Sequence, residues 1–253
     1  MNLEWWHFLG LFAVGLVAGT VDAVAGGGGL ITMPVLLNLG LPVPLALGTN
    51  KFQSSFGSVS ASRHFIRQGT ITLRECRQGI LCTLAGALAG AWAVQRIDSA
   101  VLRQVVPWLL AGILVYSMVR PAVGTQDHPP KLGGTAFFGL FGLGLGFYDG
   151  FFGPGVGSFW TMSLVAILGY NLTRATATTK VMNATSNLAS LALFASAGLV
   201  HLPAGLAMAA GQLVGGRIGA GLVVTRGARF VRPVFLTMVA VILVRLLWAN
   251  YSR

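Results

Sequence analysis

The sequence predicts an all-α polytopic membrane protein, made of two inverted repeats of about five segments each, eight to ten membrane segments in all, with helices broken by glycine. Three observations carry that expectation. Of 253 residues 55% are hydrophobic and only 9% charged, with mean hydropathy +0.75, whereas soluble domains hold about 25% charged residues. Apolar stretches recur along the whole length with short interruptions, which leaves no room for a soluble domain and makes 1–253 one integral membrane unit. A pairing of an acid with a glycine cluster occurs twice: Asp22 before Gly26, Gly27, Gly28 and Gly29, and Asp149 before Gly153, Pro154, Gly155 and Gly157. A carboxylate and a loosened backbone inside hydrocarbon are tolerated only where protein or a water-lined cavity surrounds them. Two such breaks predict a transport site.

The first repeat covers residues 5–120. Trp5, Trp6 and His7 suit an interfacial belt, and residues 8–24 are long enough to cross the hydrocarbon. Ala23-Val24-Ala25 resembles a leader-peptidase site, but the stretch before it carries Glu4 and no Lys or Arg, so residues 5–25 read as a retained helix. The Gly26–Gly29 cluster ends it. Residues 30–39 are too short to span and are closed by Pro42 and Pro44, which predicts a half-length segment. A semipolar helix over 49–65 follows, with Lys51, Ser54, Ser55 and Ser58 on one face that cannot point to lipid. A basic loop with Arg63, Arg67, Arg74 and Arg77 leads to helices over 79–94 and 105–119.

The polar, proline-rich stretch 121–131 divides the chain, and the second repeat, 132–249, restates the order. It gives a helix over 132–148, a break over 149–157, a short segment over 158–168, a semipolar helix over 173–197, and helices over 203–224 and 234–248. At one constant offset Asp22 meets Asp149 and Gly26 meets Gly153. After a two-residue shift Lys51 meets Lys180, Ser54 meets Asn183, Ser58 meets Asn187, Gly69 meets Gly198, Gly86 meets Gly215, Gly90 meets Gly219 and Arg103 meets Arg232. Ordered matches of this kind mark a duplication.

The formal charge of +11 would suggest nucleic acid in a soluble protein. Here the arginines sit between apolar runs, the pattern that orients helices against the cytoplasmic face, so the partner is the lipid bilayer and nucleic acid is excluded. The loop 63–77 is strongly basic while its counterpart, 198–203, has only His201. Five segments per half would put the two loops on opposite sides and invert the repeats; if the short segments turn back, each half has four spans and the repeats are parallel. The expected location is a plasma or inner membrane, crossed several times.

Cys76 and Cys82 form no metal-ligand spacing, and no Ser/His/Asp, H-E-x-x-H or paired-carboxylate arrangement stands out, so neither a cofactor nor an enzyme is expected. Asp22 and Asp149 are two of only six acids, and they can cap the broken backbone or handle a proton or cation. Lys51 and Lys180, two of three lysines, can snorkel to an interface or give positive charge to a central anion site. Asn50, Ser54, Asn183 and Asn187 would then supply hydrogen bonds. The Gly runs lack G-x-x-x-x-G-K-[ST] and a strand context, so they are not nucleotide loops; what they leave is helix N-termini whose dipoles favour a small anion. Gly86, Gly90, Gly215 and Gly219 read as helix packing.

Taken together, Gly19-x2-Asp22-x3-Gly26-Gly27-Gly28-Gly29 with Pro34, Leu47-Gly48-Thr49-Asn50-Lys51, Asp149-Gly150-x2-Gly153-Pro154-Gly155-x-Gly157 and Ala177-Thr178-Thr179-Lys180-x2-Asn183 resemble the TauE/SafE sulfite exporter family, also called the 4-toluene sulfonate uptake permease family. The resemblance covers essentially the whole chain. It implies transport, with export expected, of small sulfur-containing anions such as sulfite or organosulfonates. An interior-negative potential pushes an anion outward by about 2.3 kcal/mol per charge per 100 mV, whereas import needs a coupled proton or cation. An anion channel on the same scaffold is the alternative to an alternating-access carrier.

Overall fold

The computed structural model describes residues 4–98, 100–101 and 126–227, which contain eight helices and no strand. α1 spans Trp5–Ala25, α2 Gly28–Asn38, α3 Val43–Arg67 and α4 Leu73–Val94. α5 runs end to end through Gly134–Phe137, a π-helical turn at Phe138–Gly142, and Leu143–Phe151. α6 is Val156–Ala166, α7 Leu172–Ser196 and α8 Leu202–Arg226. The helices expected over 105–119 and 234–248, and the Arg103/Arg232 match, lie outside the described residues.

Local chemistry sets these boundaries. Gly26 ends α1 in the left-handed region at φ 74°, its N–H donating to the Asp22 carbonyl, because a side chain there would be strained. Thr72 caps α4 by accepting from the Glu75 N–H, Asn171 caps α7 by accepting from Arg174, and His201 caps α8 by accepting from Ala204.

The two breaks are narrower than the glycine pattern suggests. Gly28 and Gly29 already belong to the first turn of α2, Gly157 to that of α6, and Asp149 sits inside the last turn of α5. Likewise α3 starts at Val43, not at 49, because Pro44 stands in the first turn, where its missing N–H costs nothing and its fixed φ favours initiation. α4 starts at Leu73, not at 79, because the Thr72 cap reaches past the arginines.

The molecule is apolar outside and polar within. Leu140 is 66% exposed, Leu81 59% and Leu206 56%, while Lys51 is 1% and Lys180 0% exposed. Water would reverse that distribution; a bilayer produces it. By length and composition α1 and α8 are apolar enough to cross a membrane, whereas α3 and α7 carry buried polar faces. Two hydrophobic clusters sandwich those faces. Leu47 at one end of α3 packs with Met33, Phe194 and Met208, and Ala61 and Phe65 at the other end pack with Trp160, Met182 and Val223.

Contacts along the helices fix their directions. Arg174 at the start of α7 pairs with Glu75 beyond the end of α3, and the His201 N–H after α7 donates to Thr49 near the start of α3. α3 and α7 are therefore antiparallel. α1 runs parallel to α8, Gly15 lying against Met208, Gly19 against Gln212 and Thr20 against Gly219. α4 runs parallel to α5, Gly79 lying against Phe138, Gly86 against Leu143 and Gly90 against Phe147. Glycines at these seams let the backbones touch. α1 and α3 both start at the His201 end, so α2 carries the chain back to the side from which α1 set out.

Candidate functional site

α3 and α7 cross the centre carrying polar residues at helical spacing, and the turns of the chain decide what those residues meet. Along α3, Ser55, Ser58 and Ser62 donate to carbonyls one turn back, Lys51, Ser54 and Ser58, so their hydroxyls are satisfied without leaving the helix. Asn50 is held by Thr32 of α2 at 2.6 Å and by Gln53 at 2.8 Å, both donating to its Oδ1. Lys51 has no such local partner. Its Nζ reaches the carboxylate of Asp149 in α5 at 2.5 Å, and also donates to the Asp149 carbonyl and to Asn187 Oδ1 of α7.

The equivalent lysine makes the reciprocal contact. Lys180 Nζ of α7 donates to the Asp22 carboxylate of α1 at 2.8 Å and to the Asp22 carbonyl at 2.6 Å. Each ammonium thus serves a carboxylate and a carbonyl near the end of a helix whose ladder stops one turn later, where positive charge suits the dipole. Neither lysine snorkels: both meet an acid inside the protein, because a buried ammonium is tolerated only when paired.

The surroundings of the two acids differ. Asp149 is enclosed, its side chain 3% exposed, and accepts a further hydrogen bond from Ser186 Oγ. Asp22 is 22% exposed and accepts from the Gly28 N–H at 3.1 Å, which caps the first turn of α2. Capping and ion pairing therefore coexist at Asp22.

The breaks touch. A Cβ on Gly26 would lie 2.3 Å from the Gly157 carbonyl carbon, and one on Gly29 would lie 2.9 Å from Pro154 Cα. Ser158 Oγ donates to the Ala25 carbonyl at 2.9 Å, satisfying an acceptor that the end of α1 leaves open. Around this junction lies a small cavity lined by Asp22, Gly26, Gly29, Asn50, Lys51, Ser54, Asp149, Gly153, Gly155, Val156, Asn183 and Asn187. Its water-accessible volume of about 20 Å³ holds one or two waters and no organic anion. Asn183, 4% exposed, lines it with an amide oxygen that has no hydrogen-bond partner among the described residues. That open edge is an acceptor, so it is available to a hydrogen-bond donor such as a water in the cavity.

Of the residues singled out in the sequence, Gly27, Gly28, Pro154, Gly157 and Lys180 stand behind the lining: Gly28 holds Asp22, Pro154 and Gly157 pack the junction, and Lys180 lies behind Asp22. Thr32, Gln53 and Ser186 were missed. Ser186 had a signal, since it follows Lys180 and Asn183 at three-residue steps on the same face; Thr32, alone in an apolar segment, had none.

A family described as sulfite exporter TauE/SafE matches residues 11–246. A Haemophilus influenzae protein described as "Probable membrane transporter protein" is 43% identical over 228 residues, which cover 90% of this chain and 89% of that one. The Escherichia coli K12 "Probable membrane transporter protein YfcA" is 40% identical over 243 residues, 96% of this chain and 90% of its own. A Sinorhizobium protein described as "Probable membrane transporter protein ORF9" is 36% identical over 237 residues, covering 94% and 91%. No solved structure is a significant match.

Proposed function

The chain belongs to the TauE/SafE sulfite exporter family and is a multi-pass membrane transporter, and we propose that it carries small sulfur-containing oxyanions, sulfite or organosulfonates, by alternating access around the junction of the two helix breaks. The reciprocal pairing of Lys51 with Asp149 and Lys180 with Asp22 carries this reading. The Lys51 ammonium, the amides of Asn50, Asn183 and Asn187, and the starts of α2 and α6 converge on one cavity, with the Lys180 ammonium behind Asp22. Those groups suit a compact oxyanion: ammonium for charge, amide N–H for geometry, helix N-termini for both.

Alternating access is supported by two features. The cavity is too small for its cargo as it stands, so loading requires the halves to move. The helix directions also fit two inverted repeats, since in each equivalent pair, α1 with α5, α3 with α7 and α4 with α8, the two helices run in opposite directions, and the proposed site lies at the repeat interface. An interior-negative membrane favours outward movement of any net negative load.

The test is a thermal-shift panel on purified protein in detergent with sulfite, sulfate, thiosulfate, taurine and sulfoacetate. At a hundred times its Kd a ligand of the folded form adds about 2.7 kcal/mol. At least one oxyanion raises Tm in the wild type, and Lys51→Met with Lys180→Met abolishes that shift. Retained affinity in the double variant removes the lysines from the site, and a flat panel removes the substrate class. In liposomes, saturable counterflow is expected; conductance without saturation identifies a channel.

A further inference from the structure

The two ion pairs are equivalent by sequence and unequal in surroundings, and the inequality assigns them different tasks. Asp149 is enclosed by Lys51 and Ser186, and Lys51 is itself anchored to Asn187. Withdrawing that carboxylate leaves several buried donors without partners. Asp22 borders the cavity, is 22% exposed, and screens Lys180, which is 1% exposed at its side chain and outside the lining. An anion in the cavity reaches Lys180 only if Asp22 yields.

Charge settles what happens when it does. Lys51, Lys180, Asp22 and Asp149 sum to zero when all are ionised. An oxyanion leaves this enclosed junction with excess negative charge and sets two carboxylates against it, an expensive arrangement away from bulk water. One added proton on a carboxylate removes the excess. Among the described residues the only ion pair of Asp22 is with Lys180: α2 and α6 have no titratable group, the α5 Tyr148 hydroxyl donates to the Pro154 carbonyl, His64 of α3 lies near Gly221 of α8, and α8 meets α1 through glycines, with Arg217 and Arg226 exposed.

Resting on the reading that this cavity binds an oxyanion, we propose that Asp22 is the proton-carrying group of the cycle. Asp22 takes a proton from water as the anion enters, releases Lys180 Nζ to the anion, and returns the proton when the anion leaves, while the Lys51–Asp149 pair stays ionised. One proton then accompanies each anion. A monoanionic sulfonate moves electroneutrally, and dianionic sulfite moves with one residual negative charge, on which the membrane potential still acts outward.

The experiment uses purified wild type in weak buffer at neutral pH, with thiosulfate and methanesulfonate as probes. Neither probe takes up a proton near neutrality, so any uptake belongs to the protein. Binding takes up close to one proton per anion, so affinity weakens by about tenfold for each unit that pH rises around neutrality. Asp22→Asn binds with no proton uptake and no pH dependence. Binding by the wild type without proton uptake overturns the assignment and leaves the transport reading intact, and that count needs no variant. Uptake that persists in Asp22→Asn also overturns it. Failure of both probes and of sulfite to bind overturns the transport reading and this assignment with it.

Discussion

Lys51 and Asp149 meet at 2.5 Å in the interior, although nearly a hundred residues separate them, and the same contact recurs with the roles of the halves exchanged at Lys180 and Asp22. Removing one member of the enclosed pair strands the other. Lys51→Met leaves Asp149 buried with Ser186 as its remaining side-chain donor, at a cost of about 3–5 kcal/mol for a broken buried pair. Adding Asp149→Asn removes the stranded charge and recovers most of that loss. Melting curves of the purified single and double variants decide it; a single variant as stable as wild type shows that the pair contributes nothing.

The junction of the breaks has no space for a methyl group. Gly26→Ala places Cβ 2.3 Å from the Gly157 carbonyl carbon at a φ of 74°, so both sterics and backbone oppose it. Gly157→Ala meets Gly26 Cα at 2.5 Å. Each is expected to lose folded protein or all transport. Gly10→Ala is the matched control, since α1 leaves open space around Gly10 and a helical Gly→Ala change is neutral or gains up to about 1 kcal/mol. Size-exclusion profiles of the three variants separate the cases; a monodisperse, active Gly26→Ala variant contradicts the close approach.

Much of this site was legible before any coordinates. Asp22 and Asp149 declared themselves as acids in hydrocarbon, and Lys51 and Lys180 as cations on semipolar faces, because the bilayer makes every such residue conspicuous. Their partnership was not legible. An offset between repeats says that Lys51 corresponds to Lys180 and Asp22 to Asp149; it says nothing about which lysine meets which acid, since that follows from how the halves pack. The lysines therefore read as free positive charge, when each is matched by a carboxylate. Helix starts were misplaced at Pro44 and Thr72 for a simpler reason: proline and cap residues open helices as readily as they mark their absence. The π-helical turn at Phe138–Gly142 had no signature in a uniformly apolar run.

Not every ion pair between the halves is equivalent. Glu75 and Arg174 meet at 3.1 Å where α4 and α7 begin, with side chains 46% and 36% exposed. Solvent screens such a pair, and its value is about 0–1 kcal/mol. Glu75→Gln is expected to leave Tm and transport nearly unchanged, the more so because Thr72 caps α4 independently of the charge. A loss as large as that from Lys51→Met would make this contact a structural latch, contrary to its exposure.

Helix direction is checkable in intact membranes. Gln68 follows α3, Ala197 follows α7, both are exposed, and α3 and α7 are antiparallel, so the two positions lie at opposite ends of the molecule. With Cys76 and Cys82 first replaced by Ser, single cysteines at 68 and 197 are expected to react with a membrane-impermeant maleimide from opposite faces of a sealed vesicle. The excess of positive charge around Arg63, Arg67, Arg74 and Arg77 puts position 68 on the cytoplasmic side. Labelling of both from one face would require α3 and α7 to run in parallel, which the contacts of Arg174 with Glu75 and of His201 with Thr49 do not allow, and would remove the symmetry on which alternating access rests.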